Sequence, residues 1–131
     1  MLEKQILFNE RTTTGFSTPI YVRDFRHIVL VVATKSLSSA QTIRTRIVHA
    51  YQEEAPDFSS SNDSDNQWSY AQSLNLKNGY PIDGNAGIEI TGADDVVAVE
   101  LNQNMSAWLS VEVDTIDAGS VTVTAYLSDN T

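Results

Sequence analysis

The side chains in this 131-residue sequence with obvious chemical potential are two histidines, 17 acids and two tryptophans. His27 opens an apolar run, HIVLVVAT, and His49 shares strand parity with Ile47 and Tyr51, so each reads as a hydrogen-bonded structural histidine. No defined motif sets a carboxylate and a hydroxyl around either one, and the G-x-S-x-G elbow, the H-E-x-x-H pair and a phosphate-cradling glycine loop are all missing. There are no cysteines, which removes thiolate metal sites and cysteine nucleophiles. Glycoside cleavage needs two carboxylates roughly 5–10 Å apart across a cleft, and no pair is marked out by spacing. The expectation is a protein that is not an enzyme, with no catalytic residue and no cofactor.

Three groups of oxygen donors invite a metal test. Asn62, Asp63, Asp65 and Asn66 fall within five residues, with Asp57 nearby; Asp83 with Asn85, and Asp94 with Asp95, form the others. Calcium takes six to eight hard oxygens, and its helix-flanked loop requires a central glycine and a closing glutamate that this spacing lacks. Solvated turn carboxylates account for all three groups, so no metal site is expected.

The aromatic residues offer a surface instead. Residues 108–114 alternate Leu109, Val111 and Val113 against Ser110, Glu112 and Asp114, and residues 121–127 alternate Val121, Val123, Ala125 and Leu127 against Thr122, Thr124 and Tyr126. Read as a hairpin around residues 116–119, the two strands bring Trp108 and Tyr126 together on the polar face, alongside Glu112, Thr122 and Thr124. That pair serves as a protein contact surface, as a stacking platform for a sugar ring, or as a strand-stabilising pair covered by another segment and worth up to about 1 kcal/mol.

The elements that position these groups are strands. No segment longer than ten residues keeps a 3.6-residue apolar period. Strands are expected at 6–8, 19–22, 27–34, 41–51, from Trp68 to Leu74, and at 88–91, 96–102, 108–114 and 121–127. The run 27–34 is apolar on both parities, the mark of a strand buried on both faces or central in its sheet. Residues 53–66 (EEAPDFSSSNDSDN) hold a proline and four serines without alternation, a long loop that is either functional or mobile. Strand spacing of this kind predicts an all-β fold, an antiparallel β-sandwich (jelly-roll-like) of about eight strands, as one domain over residues 1–131. Residues 1–14 are a candidate N-terminal arm, with Ile6 and Phe8 as its apolar contacts.

Composition narrows the partners. A formal net charge of -9 opposes binding to nucleic acid, whose recognition rests on cationic side chains, and to anionic membranes. The N-terminal MLEKQILFNE has too short an apolar run for a signal-peptide core, so no targeting segment is expected.

Segment order carries one resemblance. A Thr-rich lead (Thr12 to Ser17) runs into STPIYVRDFRHIVLVVAT; a Ser/Asp loop ends in a tryptophan (SSSNDSDNQW); and the chain closes with WLSVEVDTIDAGSVTVTAYLSDN. This order is similar to small β-sandwich structural proteins of tailed bacteriophage virions, which include capsid decoration or stabilising proteins and head or tail accessory modules. Residues 119–127 are its most specific part, and the loop before Trp68 departs from the commoner glycine-bearing form. The resemblance implies a non-enzymatic virion component, assembled in the host cytoplasm, often a homo-oligomer, with the major capsid protein or neighbouring virion subunits as partners. The expected interaction surface is Trp108, Tyr126, Glu112, Phe8 and Ile6. The alternative is a carbohydrate-binding or receptor-binding module using Trp68, or Trp108 with Tyr126.

Overall fold

The computed structural model describes residues 2–129, and these hold strands and no helix. In chain order the strands are β1 (Leu2–Arg11), β2 (Gly15–Phe16), β3 (Ile20–Tyr21), β4 (His27–Lys35), β5 (Thr42–Ala50), β6 (Ser69–Tyr70), β7 (Ser73–Asn75), β8 (Pro81–Ile82), β9 (Ile88–Thr91), β10 (Val96–Leu101), β11 (Trp108–Ile116) and β12 (Ser120–Ser128). Of these, β2, β3, β6 and β8 are two-residue pairings and eight strands are longer; the expected strand at 19–22 is reduced to β3, and that from Trp68 to Leu74 is divided between β6 and β7.

The strands form two sheets. The first runs β1-β12-β4-β10-β7-β8; the second runs β2-β11-β5-β6, with β3 also on β11 and β9 also on β5. All pairings are antiparallel. The sheets pack face to face through the residues that alternation assigns inward. Ile28, Leu30 and Val32 of β4 and Val121, Val123, Ala125 and Leu127 of β12 meet Ile43 and Ile47 of β5 and Leu109, Val111 and Val113 of β11. Each such aliphatic side chain contributes about 1.5–3 kcal/mol when fully buried, and this shared core makes the fold an antiparallel sandwich.

The expected hairpin of residues 108–127 does not form. β11 pairs with β5 in the second sheet, while β12 pairs with β4 and β1 in the first. The connection crosses the sandwich. Its start is held on β5, where Asp117 N–H donates to the Thr42 carbonyl (3.0 Å) and Thr42 N–H to the Asp117 carboxylate (2.9 Å). Its end turns at Gly119, at a φ of 72°. Both strands bury a valine-rich face in the same core, and alternation is identical whether two such faces lie side by side or opposite each other.

Residues 2–11 of the candidate arm form β1, which lies along the chain's own β12, with Ile6 opposite Thr124 and Phe8 opposite Val123. Met1 falls outside the described residues. Register shifts between Ile6 and Phe8, and between Phe8 and Arg11, bend the outer end of this edge strand.

Candidate interaction surface

The two sheets turn different outer faces to the surroundings, and the residues expected to form one interaction surface are divided between them. Trp108 and Glu112 stand on the second sheet. Ile6 and Tyr126 stand on the first. Phe8 faces inward and is buried in the core.

The outer face of the second sheet is covered by the chain itself. Val48 and Ala50 of β5 form a small cluster with Phe58 from the Ser/Asp loop, and Phe16, Trp68, Tyr70 and Trp108 pack around it. Phe58, at 3% exposure, anchors the loop. Trp68 Nε1–H donates to the Ser60 carbonyl (3.0 Å) and Trp108 Nε1–H to the Glu53 carbonyl (3.2 Å). The Trp68 ring sits edge-to-face with Phe16 (6.3 Å), Phe58 (6.2 Å) and Tyr70 (5.5 Å), and Trp108 with Tyr21 (5.2 Å). Both indoles are thus engaged within the chain, and Trp108 follows the covered, structural alternative.

Glu112 belongs to an ion-pair network beside this cluster. Arg46 contacts its carboxylate at 2.9 Å, Tyr70 donates a hydroxyl hydrogen bond to it at 3.0 Å, and the Arg46 guanidinium lies 4.1 Å from the Tyr70 ring centroid. Next to it, hydrogen bonds from Arg44 hold the Asp114 carboxyl below the usual carboxylate range, while burial and then the Glu112 bond push the Tyr70 hydroxyl up.

The acidic groups of the long loop cap turns. Asp57 accepts from Ser59 and Ser60, bonds that lower its pKa, and Asp63 accepts from the Asp65 and Asn66 amides. Asp94 takes the amides of Ser36 (3.0 Å) and Leu37 (2.7 Å). Among the described residues, no three His, Cys, Asp or Glu side chains converge on a metal-sized site. The histidines also have local roles: His27 Nδ1 meets Asn102 Oδ1 at 3.0 Å, and the His49 ring packs on Tyr51 at 5.2 Å. A groove of about 580 Å³ opens between His49, Tyr51, Leu101, Asn102 and Met105, and burial there holds the His49 pKa below its ordinary value.

The outer face of the first sheet has a different character. Its four adjacent strands β1, β12, β4 and β10 align outward side chains in three rows. Lys4, Tyr126, Val29 and Glu100 form one row; Ile6, Thr124, Val31 and Ala98 form the next; Thr122, Ala33 and Val96 form the third. Burial alternates strictly along β4 and β12, so these residues point away from the core. Ile6 is 58% exposed and Val96 62% exposed, and the strand centres between them are half-buried only by their neighbours. Lys4 stands on the edge strand β1, Glu100 on β10 beside Leu74 of β7, and at one end Lys35 bridges Glu10 at 3.2 Å.

The face is therefore a neutral, β-branched surface on a protein of net charge -9. Exposed contiguous apolar patches of this kind mark contact sites. Val29, Val31, Ala33, Val96 and Ala98 are not among the expected contact residues; the two-parity apolar run at 27–34 reads as a strand buried on both faces or central in its sheet, and β4 is the central case, between β12 and β10. In this chain the core covers one side only.

The fold itself has a solved counterpart. The crystal structure of the SPBc2 prophage-derived protein YomS is similar to this chain with a TM-score of 0.66 and 12% sequence identity, covering 97% of this chain and 92% of that one. At that identity the likeness is one of fold. No family model matches the sequence, and no curated protein does.

Proposed function

We propose that this protein is a non-enzymatic structural component of a bacteriophage-type virion, and within that class a capsid decoration or stabilising protein. The observation that carries this reading is the uncovered neutral face built by β1, β12, β4 and β10. Burying apolar area is the dominant favourable term in protein association, and a sheet face devoid of central charge favours a protein partner over nucleic acid or an anionic membrane. The sandwich shared with a prophage-derived protein supports the setting, and the segment-order resemblance to virion proteins points the same way. Tyr126 and Ile6 are the anchors on this face, and the partners are the major capsid protein or neighbouring virion subunits.

The test is quantitative mass spectrometry of purified particles from the source culture. Recovery of the chain at a fixed, high copy number relative to the major shell protein supports the reading, and the ratio separates shell decoration from a tail position. Absence from intact particles overturns it.

A further inference from the structure

We infer that the outer face of β1, β12, β4 and β10 binds a second copy of the same chain, with a two-fold axis running along the strands between β12 and β4. The inference rests on reading this face as a contact surface and names its occupant. Such an axis lays β1 of one copy over β10 of the other, and β12 over β4. Each row then meets the same row reversed. Lys4 comes opposite Glu100 of the second copy, and Glu100 opposite its Lys4. In the next row Ile6, large and exposed, faces Ala98, which is small, while Thr124 faces Val31.

The face is thus self-complementary in charge and in size, as a two-fold interface requires. Its neutral centre keeps the mutual repulsion of two acidic chains away from the contact. Area is also sufficient. Two central strands of nine residues and four strands across give an outline of roughly 30 by 19 Å. The pair then buries about 1,000 Å² in total, at the threshold for a biological interface and in the range of weak, reversible association. Lys4 and Glu100 of the same copy are three strand spacings apart, about 14 Å, so their coupling within one chain is weak.

A charge-swap series on the full chain tests this by sedimentation equilibrium, with circular dichroism to confirm folding. The wild type should dimerise with a Kd in the micromolar range. Lys4→Glu and Glu100→Lys should each weaken it about tenfold, because each sets like charges opposite each other twice, and the double swap should restore wild-type affinity. Thr124→Lys, which points outward, should abolish the dimer without unfolding the chain. A wild type that stays monomeric at 200 µM, single swaps without effect, or a double swap that fails to rescue would each overturn the inference. Particle proteomics separates this outcome from the broader reading: a monomer found at fixed copy number in particles retains the contact surface with a foreign subunit on it. A dimer absent from particles retains the self-contact and removes the virion role.

Discussion

Gly119 and Lys35 are in contact where the chain passes from one sheet to the other: a Cβ built on Gly119 would run into the Lys35 carbonyl oxygen. Gly119 also holds a φ of 72°, in the left-handed region. Every L-residue other than glycine meets both obstacles there, since side chains disfavour that backbone and the space is filled by main chain that β4 holds in register with β12. Gly119→Ala should therefore lower stability by more than about 1 kcal/mol, measured by urea unfolding with an unchanged m value. A substitution without effect would mean that the crossing can relax away from β4.

Phe58 holds the long acidic loop down, through its burial against Val48 and Ala50. Truncating a buried phenylalanine typically costs 3–5 kcal/mol. Because this cluster lies outside the main core, the first consequence should be local. Phe58→Ala is expected to red-shift tryptophan emission as Trp68 loses its edge contact, to raise hydrogen exchange across 57–67, and to lower global stability by about 3 kcal/mol. Unchanged exchange in the loop would show that the Asp57 and Asp63 turn bonds suffice to order it.

Much of the fold is legible in the sequence because alternation is a direct consequence of one-sided burial. Val121, Val123, Ala125 and Leu127 lie in the core as their spacing predicts, and so do Leu109, Val111 and Val113. Which strand each one pairs with is decided by non-local packing, and the same pattern fits a hairpin or a crossing. Trp108 and Tyr126 consequently lie on opposite outer faces of the sandwich. The loop at 53–66 reads as polar because Phe58 is the one large apolar side chain in a serine-rich run, while its other anchors are backbone carbonyls at Glu53 and Ser60 that accept from Trp108 and Trp68. The contact face was half legible. Tyr126 and Ile6 are expected contacts, whereas Val29 and Val31 read only as part of a strand buried on both faces or central in its sheet; β4 is central, and a central strand's outward apolar residues carry no mark of what covers them.

Thr45 places its hydroxyl in the core at 1% exposure, and among the described residues that oxygen has no hydrogen-bond partner. It lies opposite Val113 on one side and Ile88 on the other. A buried hydroxyl without a partner carries its desolvation cost uncompensated. Thr45→Val has nearly the same shape and should raise stability by about 1 kcal/mol, visible as a higher urea midpoint. A loss of stability would indicate that the hydroxyl is served by a buried water.

His49 sets the upper of two acid-sensitive limbs. Burial holds its folded-state pKa below the ordinary histidine value of about 6.5. A depressed pKa means that the unfolded chain binds the proton first, so the associated stability is complete above about pH 6.5 and is lost as pH falls through the folded value. The melting temperature should therefore begin to drop as pH falls below about 6.5, and His49→Gln should flatten that limb. Asp114, held down chiefly by the Arg44 hydrogen bonds, follows the same sign at lower pH. Its contribution is complete above about pH 3.9 and disappears below, and Asp114→Asn should reduce that lower limb, to which Asp57 also contributes, while leaving the upper one in place. Melts of the wild type and the two variants across the acid range separate the limbs, and a His49→Gln curve parallel to the wild type as pH falls below about 6.5 would assign the upper limb to another group.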